Sequence, residues 1–168
     1  PFKGKSFDAV NIADVMEHIP HHDKAMQEIH RVLKDNGVLI ASTPSTNFHH
    51  GKFKPFFRWL KDHTPLGRLH IWNEEEIYEE SMMKSKHHVR EYSLEDWKQL
   101  CRRNEFVLED WQPEYKFFGA LFIELYHSFT LFRKYSNIVF PLLYPLVLLD
   151  KFIPARGTGI AVRCRKLF

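Results

Sequence analysis

Ser6-Phe-Asp-Ala-Val-Asn-Ile-Ala-Asp-Val-Met-Glu-His-Ile-Pro20 and, ten residues on, Arg31-Val-Leu-Lys-Asp-Asn-Gly-Val-Leu-Ile-Ala-Ser-Thr-Pro44 decide the reading of this chain. Phe7, Ala9, Val10 and Ile12 form an apolar run of strand length. Polar and acidic residues follow at once. Ala25, Met26, Ile29, Val32 and Leu33 then recur at helical spacing, which predicts an amphipathic helix from His22. Lys34 is expected in its last turn, with Asn36-Gly37 as the left-handed stop. Val38–Ala41 is apolar throughout, as suits a strand buried on both faces of a parallel sheet. Strand, helix and parallel strand make one crossover unit, and in open sheets of that kind ligands bind beyond the carboxyl ends of the strands. The segment that follows Phe7–Ile12 is therefore the first place to look for a site.

Outward from this unit the signals weaken and then recover. Residues 45–90 are interrupted by Gly51, Pro55, Pro65 and Gly67 and read as an insertion or lid. Phe53, Phe56, Phe57, Trp59 and Leu60 suggest one short helix within it. Its cations Lys52, Lys54, Arg58, Lys61 and Arg68 suit a solvated face, or less simply an anionic substrate. Ser93 is expected to cap a helix carrying Glu95 and Asp96 in its first turn and Leu94, Trp97, Leu100 and Cys101 on its buried side. Asn104 closes it, Phe106–Trp111 reads as a strand, and Gly159–Lys166 is the final strand, with Ile160, Val162 and Cys164 alternating with Ala161, Arg163 and Arg165. Between them, residues 115–153 read as two very apolar helices, 115–135 and 138–152, forming a cover.

Composition narrows the class. In 168 residues, 44% are hydrophobic and fifteen are phenylalanine, enough for a true core. A net charge of +3 forces neither nucleic-acid nor membrane binding. Cys101 and Cys164 are expected to be reduced thiols, which suits a cytoplasmic protein. The run Ile138–Leu149 is far shorter than the roughly 20 residues that span a bilayer. A peripheral membrane contact stays open, because Arg133, Lys134 and Lys151 edge the apolar helices.

Phe-Asp-Ala-Val, then Val-Met-Glu-His-Ile-Pro, then Glu-Ile-His-Arg-Val-Leu-Lys-Asp-Asn-Gly together resemble class I S-adenosylmethionine-dependent methyltransferases of the type 11/12 kind. His88-Val-Arg-Glu-Tyr-Ser before a helix, Phe106 after it and the closing Gly-Ile-Ala-Val agree. The resemblance implies a partial Rossmann-like α/β fold holding the fourth to seventh strands, with parallel strands, an antiparallel final pair and helical insertions. It also implies that the chain is the carboxy-terminal part of the domain, whose missing N-terminal half would be its first partner. No Gly-x-Gly pattern precedes Phe7. The fragment alone is therefore expected to hold cofactor poorly.

By the resemblance, Ile12, Ala13 and Asp14 would meet the methionine portion of S-adenosylmethionine. Asp14, Glu17 and His18, joined by His88, have the residue types of a divalent metal site. On one helical turn, Asp14 and either Glu17 or His18 would share a face. Helix capping, or His18 or His88 as a general base, are the other readings of the same residues. The implied activity is methyl transfer, to oxygen before nitrogen or carbon, on a small-molecule or lipid-like acceptor. A metal-dependent RNA methyltransferase and a non-catalytic binding protein of the same fold are the alternatives.

Overall fold

A computed structural model describes residues 2–46, 53–73, 89–154 and 157–168. In chain order the elements are β1 (Phe7–Ala13), α1 (His22–Val32), β2 (Leu33–Pro44), α2 (Lys54–His63), α3 (Leu94–Arg103), β3 (Phe106–Glu114), α4 (Phe118–Ser128), α5 (Thr130–Lys134), α6 (Ser136–Leu148) and β4 (Gly159–Lys166). Single 3-10 turns occur at Met16–His18, Pro65–Arg68 and Leu149–Phe152. The chain divides into two compact units, one of residues 1–48, 86–114 and 158–168, the other of residues 49–85 and 115–157.

The first unit holds the sheet, in the order β1-β2-β4-β3. β1 and β2 run parallel, and β4 is antiparallel to both of its neighbours. This is the mixed α/β arrangement expected from the sequence. One face is built by alternation: Leu39, Ala41 and Thr43 lie opposite Cys164, Val162 and Ile160. Met26 of α1 and Trp97, Leu100 and Cys101 of α3 close over these residues as the core. Each such side chain, fully buried, contributes roughly 1.5–3 kcal/mol. Ile40 and Trp111, which point out of this core, are about half exposed. Ile40 is thus no part of a strand buried on both faces, contrary to the expectation for Val38–Ala41.

Two local features differ from the sequence reading for identifiable reasons. α1 ends at Val32, and Lys34 belongs to β2. The Lys166 ammonium, buried, donates to the carbonyls of His30 and Leu33 at 2.9 Å each and so caps α1 from β4. Leu33 then pairs with Phe7, while Ala9 pairs with Val38, so residues 34–37 bulge from the ladder. Asn36 takes φ 61° there, and Lys34 reaches back to both carboxylate oxygens of Asp8 at 2.8 and 2.9 Å. β3 also runs three residues beyond Trp111, through Pro113. It tolerates that proline because it lies at the edge of the sheet.

α3 begins as expected. Ser93 and Asp96 form a reciprocal capping box, with Asp96 N–H donating to the Ser93 hydroxyl at 3.1 Å and Ser93 N–H to the Asp96 carboxylate at 2.8 Å. Cys101 and Cys164 are buried free thiols whose sulfurs lie 3.1 Å apart. The hydrogen bond to Cys101, together with burial, holds the Cys164 thiol far above the usual range.

The second unit is helical. The expected helix over 115–135 is broken: α4 stops at Ser128, Phe129 is extended, and α5 starts at Thr130. Phe129 packs edge-on against Phe57 at 5.4 Å and lies 4.5 Å from Trp72, which fixes the break. The second expected helix, 138–152, is α6 followed by the turn Leu149–Phe152. Asp150 in that turn is buried and accepts the N–H groups of Phe117, Phe118 and Gly119 at 3.1, 2.9 and 2.9 Å. It supplies from a distance the cap that α4 lacks locally. Asp150→Ala is expected to cost about 0.5–2 kcal/mol of local stability. Amide hydrogen exchange at Phe118 and Gly119 checks this and should speed up by roughly ten-fold.

Candidate functional site

The carboxyl ends of β1 and β2 meet at Ala13 and Ser42, which are partners in the parallel ladder. Immediately past them Asp14 turns into the left-handed region, φ 50°, which aspartate tolerates better than most residues. Its N–H donates to the Ser42 carbonyl at 3.0 Å, and the Ser42 hydroxyl approaches its carboxylate at 3.5 Å. The result is a sharp exit that leaves Ala13 and Asp14 exposed at the strand tips. Ile12 is different: its side chain is half-buried and packs on the core, so only its main chain can serve a ligand.

The same turn separates the residues that the sequence spacing had brought together. Asp14 lies outside the 3-10 turn Met16–His18, so its carboxylate does not share a helical face with Glu17 or His18. Glu17 is buried, 1% exposed, while the His18 side chain is 43% exposed, with 3.9 Å between Nε2 and Glu17 Oε1. Among the described residues no group of three His, Cys, Asp or Glu could hold a metal ion. The expected helical spacing of Asp14 with Glu17 or His18 is corrected: left-handed backbone at Asp14 breaks it. His88 lies outside the described residues.

Glu17 instead belongs to the wall behind the tips. Its carbonyl accepts from Val89 N–H at 2.7 Å and Arg90 N–H at 3.3 Å. Tyr92 donates its hydroxyl to the Met16 carbonyl at 3.4 Å, and burial pushes its pKa up to about 12. Tyr92 stays a donor at any physiological pH. His22 stands edge-on to the Tyr92 ring at 5.6 Å, and burial together with the nearby Arg90 lowers its pKa. Ser45 bridges in parallel to Tyr92 and holds this wall against the end of β2.

One group at the tips went unnoticed in the sequence. Glu114, the last residue of β3, lies opposite Gly159, which in turn lies opposite Pro44. A Cβ built on Gly159 would stand 3.1 Å from Glu114 Oε2 and 3.3 Å from the Thr43 carbonyl. The missing side chain at Gly159 is what lets the Glu114 carboxylate lie across β4 toward β2. Burial, with the like charge of Asp14, raises the Glu114 pKa. Glu114, on the edge strand opposite β1, is thus held toward its neutral form. Thr43, by contrast, is spent: its buried hydroxyl accepts from Trp97 Nε1 at 3.0 Å.

Residues 1–41, which contain β1, α1 and most of β2, match the family profile described as methyltransferase domain. The four-stranded sheet has part of the Rossmann-like α/β fold seen in solved methyltransferases. Over 40 residues it is 51% identical to the ubiquinone/menaquinone biosynthesis C-methyltransferase UbiE of Brucella canis, a stretch covering 24% of this chain and 15% of that protein. The phosphoethanolamine N-methyltransferase 2 of Haemonchus contortus, solved with S-adenosyl-L-methionine, superposes with a TM-score of 0.53 at 14% identity, over 100% of this chain and 35% of its own. The [4+2]-cyclase SpnF superposes with a TM-score of 0.51 at 18% identity, over 99% of this chain and 52% of its own. A cyclase among methyltransferases of the same fold shows that the architecture alone does not choose the reaction.

The tips carry a small side chain and a carboxylate, groups that suit an ammonium-bearing ligand. A small exposed Ala13 admits close approach, and the exposed Asp14 carboxylate is matched in charge to an ammonium.

Proposed function

We propose that this chain contributes the acceptor side of an S-adenosylmethionine-dependent methyltransferase, acting on an oxygen of a small or lipid-like molecule. The observation that carries the reading is the left-handed Ala13–Asp14 exit, held by Ser42 at the carboxyl ends of two parallel strands. Bound there, the cofactor supplies an electrophilic methyl on a sulfonium. The chain's own residues do the rest. Asp14 holds the ammonium, Ala13 leaves room, and Glu114 takes up the proton of the acceptor hydroxyl. Oxygen suits a carboxylate base of raised pKa, because a neutral hydroxyl must lose its proton as the bond to carbon forms. The main contribution of such a site is alignment of acceptor and sulfonium.

Titration calorimetry of the full-length protein with S-adenosylhomocysteine tests the cofactor side. Asp14→Ala is expected to weaken binding by about 10–100-fold, the loss of one charge-assisted hydrogen bond. Unchanged affinity sinks the assignment of Asp14. Carbon-13 spectra of product made with a labelled methyl group then tell an O-methyl from a C-methyl product. That distinction matters because the curated relative matched over 40 residues is a C-methyltransferase.

A further inference from the structure

The second unit presents an apolar surface whose chemistry selects its partner. α6 reads Ser-Asn-Ile-Val-Phe-Pro-Leu-Leu-Tyr-Pro-Leu-Val-Leu, and none of its thirteen residues is buried. Leu142 is 73% exposed, and Ile138, Tyr144 and Leu148 are each more than half exposed. Beyond the helix Phe152 is 73% exposed, and before it Leu131 and Tyr135 are about half exposed. An apolar patch of this extent on a water-facing helix marks an interaction site.

Charge identifies what it meets. Residues 130–154 contain four ionisable charges, Arg133, Lys134, Asp150 and Lys151. The single anion is turned inward, its carboxylate taken by the three N–H groups at the start of α4. The three cations are exposed. Lys134 lies over the Tyr135 ring at 5.4 Å and Lys151 over the Phe152 ring at 4.7 Å, so each ammonium is paired with an aromatic at an end of α6. A greasy helix with aromatic and cationic ends matches the boundary between acyl chains and anionic headgroups. The helix lies on such a surface rather than crossing it: no helix among the described residues is long and apolar enough to span. Asp150 and the bond from the Lys116 ammonium to the Ile153 carbonyl, 3.1 Å, fix the segment against α4 and present the patch as a preformed platform.

We propose that α6 and its flanking turns dock the protein on anionic lipid bilayers. The proposal needs neither cofactor nor methyl acceptor, so it stands or falls apart from the catalytic reading. Each cation near an anionic surface is worth about a five-fold gain in partitioning, so three give on the order of 100-fold.

The test is co-sedimentation of the full-length protein with vesicles of pure phosphatidylcholine and with vesicles containing one part phosphatidylserine to three of phosphatidylcholine. Partitioning onto the anionic vesicles should be about 100-fold stronger and should fall with added salt. The double variant L142D/F152D should lose at least ten-fold on both vesicle types without a change in its unfolding transition, since neither side chain is buried. The triple variant R133E/K134E/K151E should lose only the preference for phosphatidylserine. Equal, negligible sedimentation with both vesicles overturns the proposal. So does a self-associated protein that L142D/F152D makes monomeric and that binds no vesicle, since the patch then serves a second copy.

Discussion

Trp97→Ala is expected to destabilise the sheet-containing unit by about 3–5 kcal/mol, a large part of the stability of a domain this size. Three losses add. The indole is fully buried in the core between α3 and the sheet, so its removal leaves a cavity that the surrounding strands fill only in part. Its tilted contact with Tyr92, 5.2 Å between ring centroids, disappears. The Thr43 hydroxyl, itself buried, loses the donor that satisfies it. Trp97→Phe separates these: it keeps most of the apolar volume and forfeits the hydrogen bond, and about 1–2 kcal/mol is expected. Urea unfolding of both variants, followed by circular dichroism, checks the two values. The position matters to function because Thr43 adjoins Ser42, the residue that holds the Asp14 turn. A variant that folds but loosens the end of β2 should therefore also weaken cofactor binding.

How much of this was legible beforehand depended on whether the cause was local. β1, the start of α1, the Val38–Ala41 part of β2, the Ser93 cap and the alternation of β4 are written in short-range periodicity and capping chemistry, and they stand where the residues placed them. The failures share a distant partner. Asn36-Gly37 has the composition of a helix stop, yet α1 ends four residues earlier because Lys166 arrives from the last strand to take its carbonyls. The apolar run from Tyr115 to Tyr135 carries no glycine or proline after Gly119, and its break at Phe129 comes from aromatic packing with Phe57 and Trp72. In the site, Asp14 was placed on a helical turn with Glu17 and His18 by spacing alone. A positive φ at one residue, invisible to any periodicity, parted them. Glu114 was hidden twice, since the expected strand stopped at Trp111 and its importance depends on a glycine 45 positions later. An acidic residue at a strand end, matched with a glycine at the start of the last strand, was the signal to follow.

Glu114→Gln carries the largest expected effect on turnover: a fall in kcat of about 10²–10⁴ with little change in cofactor affinity. Glutamine keeps the shape and polarity of the side chain but cannot accept a proton, so the substitution isolates base catalysis from packing. The pH dependence gives an independent reading. Burial and the Asp14 charge raise the Glu114 pKa, so the wild-type rate should climb with pH through that raised value as the carboxyl ionises. Asp14→Asn removes one of the two causes and should move the rising limb to lower pH; Glu114→Gln should abolish it. Stability runs the opposite way. A carboxyl whose pKa is higher folded than unfolded binds more protons in the native state, so its contribution is greatest below its unfolded pKa and declines as pH rises through its folded value. Rate and stability must therefore cross in the same pH window, the rate rising as the unfolding free energy falls. Glu114→Gln should flatten both curves together, whereas a carboxylate that only braces β3 against β4 would leave the rate profile as it was.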